Sequence, residues 1–101
     1  MVKYRIGIRA PIKANPADVA GGIESVVNKA LGGRDGCKVT SDPPGIFPDG
    51  TINEETGEKR FEVSVNIIRD PIPRGVDVMG AITRGAYPGR VISVKKYKPG
   101  V

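Results

Sequence analysis

The side chains that could do chemistry in this chain are few, and the missing ones narrow the field first. There is no histidine among the 101 residues, so the usual base of Ser-His and Cys-His nucleophilic pairs is lacking. The single cysteine, Cys37, has no partner for an internal disulfide and no second thiol or imidazole with which to build a zinc site. Arg34 and Lys38 nearby could activate its thiol, but a lone cysteine on the apolar side of a strand is expected to be a small core residue. Paired carboxylates occur at Glu54-Glu55, in a polar, turn-rich stretch that offers no burial to raise a pKa. They are expected at a solvated hairpin tip. Glycines at 32, 33 and 36 follow a helical stretch instead of opening one, which suits capping and not a phosphate cradle. Gly75, Gly80, Gly85 and Gly89 do not share a helical face. No catalytic residue, metal ligand or cofactor site is expected, and the chain reads as a non-enzymatic binding module.

Charge is the feature that remains. Lys and Arg number 16 against 11 Asp and Glu, a net charge of +5 that no histidine modulates near neutrality. The acids are unevenly spread: Asp42, Asp49, Glu54, Glu55 and Glu58 fall in a stretch, 42–58, that holds no basic residue. Basic residues gather at the two ends instead, as Lys3, Arg5, Arg9 and Lys13, and again as Arg84, Arg90, Lys95, Lys96 and Lys98. The molecule is expected to be a dipole whose basic pole attracts polyanions.

What positions these residues is read from periodicity. Val2, Tyr4, Ile6, Ile8 and Ala10 alternate with Lys3, Arg5, Gly7 and Arg9, the period of a half-buried strand. Asn15-Pro16 then supplies an N-cap and a first-turn proline, and Val19, Ile23, Val26, Val27, Ala30 and Leu31 recur at helical spacing. Gly32-Gly33 is the stop. Cys37 to Thr40 predicts a short second strand. Arg60 to Ile68 predicts a third, with Phe61, Val63, Val65 and Ile67 on one side and Glu62, Ser64 and Asn66 on the other. Val76 to Ala86 is helical in pattern, and Arg90 to Lys98 closes as a last strand. Between the second and third strands, 42–58 carries Pro-Pro-Gly and Pro-Asp-Gly turn signals and reads as a long hairpin arm.

The order β-α-β-β-α-β predicts an α+β domain of the ferredoxin-like kind: a four-stranded antiparallel sheet in the order 4-1-3-2, with both helices on one face. At 10.7 kDa it is one domain, residues 1–101. Its core is expected to place Ile6, Ile8, Val63, Val65, Ile92 and Val94 against Ile23, Val27, Leu31 and Ile82. In this order the first and last strands are neighbours, so Lys3, Arg5, Arg9 and Lys95 merge on the helix-free face.

Lys96 and Lys98 extend the expected nucleic-acid site formed by those four residues. RNA-recognition motifs resemble this topology and bind single strands on that face through aromatic residues of the central strands. The corresponding residues here, Arg5, Gly7, Ser64 and Asn66, are not aromatic, so weakly sequence-specific backbone binding of RNA or DNA is the expectation. Acylphosphatases share the strand order too, but their glycine-rich phosphate loop is replaced here by the glycine-free stretch Arg9 to Pro16. The alternative is a protein-interaction or accessory module, as in viral or phage proteins that inhibit a host protein. It would use an edge strand or the arm's Ile46, Phe47, Ile52, Glu54 and Glu55, and an edge strand could also pair two copies. No stretch is apolar enough to span a membrane, and unpaired cysteine usage suits a reduced, cytoplasmic setting.

Overall fold

The computed structural model describes residues 2–33, 35–41, 52–53, 57–68, 72 and 74–97. Among these residues the elements are, in order, β1 (Val2–Pro11), α1 (Pro16–Ala30), β2 (Cys37–Ser41), β3 (Ile52–Asn53), β4 (Glu58–Ile67), α2 (Val78–Gly85) and β5 (Arg90–Tyr97). The main sheet is antiparallel in the order β2-β4-β1-β5, which is the expected 4-1-3-2 read from the other side. The short β3 adds to β4 through Ile52 opposite Lys59 and Asn53 opposite Glu58.

Local chemistry sets the helix bounds. Asn15 Oδ1 accepts the Ala17 N–H at 2.9 Å, and Pro16 follows at the first turn, where its missing N–H costs nothing. Gly32 and Gly33 end α1 with φ of 111° and 80°, a conformation that favours glycine. Helix α2 starts at Val78, two residues later than its apolar pattern suggests, because Asp77 caps it by accepting the Gly80 N–H.

One core joins the layers. Tyr4, Ile6, Ile8 and Ala10 from β1 and Phe61, Val63, Val65 and Ile67 from β4 are buried with Ile23, Val27, Leu31, Ala81 and Ile82. Cys37 is buried among them. The two helices cross at glycines. A Cβ on Gly22 would stand 2.8 Å from the Gly85 carbonyl oxygen, and one on Gly85 would stand 2.6 Å from Ile23 Cα. Backbone contact this close leaves no room for a methyl group.

The last strand departs from expectation. Ile92 and Val94 are 36% and 39% exposed, not core. For Ile92 a β-bulge is responsible: Gly7 pairs with Ser93, while the next residue, Ile8, pairs with Val91, which leaves Ile92 unpaired. The extra residue reverses the alternation, so Val91 packs against the core and Ile92 turns to the helix-free face, 3.5 Å from where a Gly7 Cβ would lie. Val94, opposite Ile6, stays on the helix side but at the sheet edge. The expected arm falls mostly outside the described residues, which include only its end, Ile52–Asn53 and Gly57–Glu58. Among the described residues no helix is long and apolar enough to cross a membrane.

Candidate nucleic-acid interface

Strand alternation sends the odd residues of β1 and the even residues of β4 to the side away from the helices. Register then lines them up in rows across the sheet. Asn66, Lys3 and Tyr97 form one row; Ser64, Arg5 and Lys95 the next; Glu62, Gly7 and Ser93 the third; Arg60, Arg9 and Arg90 the fourth. Lys38 and Thr40 of β2 extend the first two rows beside Asn66 and Ser64. The described face therefore carries Lys3, Arg5, Arg9, Lys38, Arg60, Arg90 and Lys95 against the carboxylates Glu58 and Glu62.

Arg5 and Arg90 have carboxylate partners. Arg5 Nε donates to Glu62 Oε1 at 2.5 Å. That hydrogen bond, the Glu62 charge and a further hydrogen bond with Tyr97 raise the guanidinium pKa above its ordinary value. Arg90 stands 3.5 Å from Glu58 with a largely exposed side chain. Both are surface pairs, so they orient the guanidinium groups more than they stabilise the fold. Between the rows of Arg5 and Arg9, Gly7 is buried: Ser93 Oγ occupies the space a Cβ would need, and the Ile92 side chain lies beside it.

Of the residues expected in the site, Lys3, Arg5, Arg9 and Lys95 come together. Lys96 does not join them. It lies opposite Tyr4 on the helix side, its Nζ 5.8 Å from the centre of the Tyr4 ring. Lys98, Ile46, Phe47, Glu54 and Glu55 lie outside the described residues, and of Ile52 only the strand pairing is described. Arg60, Arg90 and Lys38 join the face without having been expected there. For Arg60 the signal was available, because the alternation of Phe61, Val63 and Val65 continues one step back to put it beside Glu62.

Cys37 is not part of this surface. It is buried, Sγ lies 3.8 Å from the Glu24 carbonyl oxygen, and burial with the nearby Glu24 charge pushes its pKa up to about 11. A thiol held neutral in this way is a poor nucleophile. Comparison with known proteins finds no family model that matches the chain and no curated protein that matches it.

Proposed function

We propose that the chain is a non-enzymatic module, a ferredoxin-like sandwich that holds nucleic-acid backbone on its helix-free face with weak sequence preference. The observation that carries this reading is the row Arg60, Arg9, Arg90, three guanidinium-bearing residues directly opposite one another on adjacent strands. Like charges in register destabilise a sheet. Glu58 offsets Arg90, yet Arg9 at the centre of the row and Lys3 and Lys95 beyond it keep the face cationic, and guanidinium forks suit phosphate oxygens. Lys3 and Lys95 extend the same surface. Lys96 and Lys98 are not needed for this reading. Weak sequence preference follows because the central positions Arg5, Gly7, Ser64 and Asn66 offer no stacking ring, and Tyr97 supplies one only at the edge strand.

The test is a titration with single-stranded and duplex DNA and RNA at low salt. Binding is expected, and the double variant Arg9→Glu with Lys95→Glu should abolish it while the far-ultraviolet circular dichroism of the folded chain is retained. Absence of binding to all of these polymers by the folded wild-type chain would overturn the proposal.

A further inference from the structure

The two edges of the sheet are built differently. At the β2 edge two outward N–H groups are occupied by side chains of α1. Cys37 N–H donates to Asn28 Oδ1 at 2.8 Å and Val39 N–H to Glu24 Oε1 at 3.2 Å, both acceptors reaching down from α1. At the other edge β5 ends the strand order over eight residues, pairing with β1 on its inner side. Its apolar side chains are open there too: Val94 is 39% exposed on the helix side, and Ile92 36% on the other. Its charges are Arg90, Lys95 and Lys96, with no acid.

We propose that β5 receives an extended acidic segment of another protein as an added strand. Main-chain hydrogen bonds would supply affinity, and side chains on alternate faces would supply selectivity. Acidic residues of the incoming strand would fall beside Lys95 and Arg90 on the helix-free side, and apolar ones beside Val91 and Val94 on the helix side. The same lysines reject a second copy of β5, since self-pairing would bring only cations together. This site shares Lys95 and Arg90 with the nucleic-acid face but takes its affinity from the backbone edge, so it does not require that reading.

The probe is an eight-residue peptide alternating Glu and Val, N-methylated along one edge so that it cannot pair with itself. Added to the 15N-labelled chain, it is expected to slow exchange of the β5 amides that do not bond β1, and to leave Cys37 and Val39 unchanged. The variant Lys95→Glu with Lys96→Glu should bind it about tenfold more weakly and should instead take a Lys-Val peptide. Arg9→Glu, which should weaken nucleic-acid binding in the reading above, should bind the peptide as the wild type does. No binding, binding that leaves β5 exchange unchanged, or a peptide-free dimer already protecting β5 would each overturn the proposal.

Discussion

Arg9 stands between Arg60 and Arg90, and its position sets stability against binding. Replacing it with Gln removes a charge from a like-charged row, so the folded chain should gain roughly 0.2–1 kcal/mol while its affinity for nucleic acid falls. Urea denaturation and a titration on the same variant check both halves; a loss of stability would show that Arg9 is structural. Cys37 offers a second measurement at this scale. Its folded thiol keeps its proton up to about 11, whereas a thiol at the usual value of 9.0 in the unfolded chain has released it. Stability from this group is complete below pH 9 and falls as pH rises through that window, by about 1.4 kcal/mol per pH unit. The slope should be missing in Cys37→Ala, measured by urea denaturation between pH 8.5 and 10.5. At this scale the core cysteine was legible from its strand position alone. Lys96 parts from Lys95 because consecutive residues of a regular strand point to opposite faces, so that separation was legible in the sequence.

Among the elements, neighbouring glycines on α1 have opposite consequences. Gly21 meets nothing within 4 Å where a Cβ would sit, while Gly22 meets the Gly85 carbonyl. Gly21→Ala is expected to stabilise the chain by about 0.5–1 kcal/mol through helix propensity. Gly22→Ala should cost roughly 1–3 kcal/mol because the helices must move apart. Thermal melts of the two variants check the contrast; equal effects would contradict the crossing. Strands and helices were legible because their signals are local: alternation in β1 and β4, Asn15-Pro16 before α1, Gly32-Gly33 after it. The bulge at Ile92 was not, because it exists only in the pairing of β5 with β1. Nothing within Arg90 to Tyr97 alone says that Val91 faces the core and Ile92 does not.

For the whole molecule, the order of the strands converts two distant basic stretches into one surface. That merger was legible once the strand order was, and Arg60 from the alternation of its own strand, whereas the places of Lys38 and Arg90 in the rows depended on register. With about four to six phosphates engaged, the log-log dependence of affinity on salt should have a slope near −3 to −5, read from titrations between 50 and 200 mM salt. A slope near zero would place binding outside this surface. The hydrogen bonds from Cys37 and Val39 to α1 have a consequence of their own. A sheet whose β2 edge is held by its own helix at those two residues takes an added strand at β5 in preference, which gives it a valence near one. A chain that joined through β5 would cap a growing fibril end and leave no site on the far side of Cys37 and Val39 for the next copy.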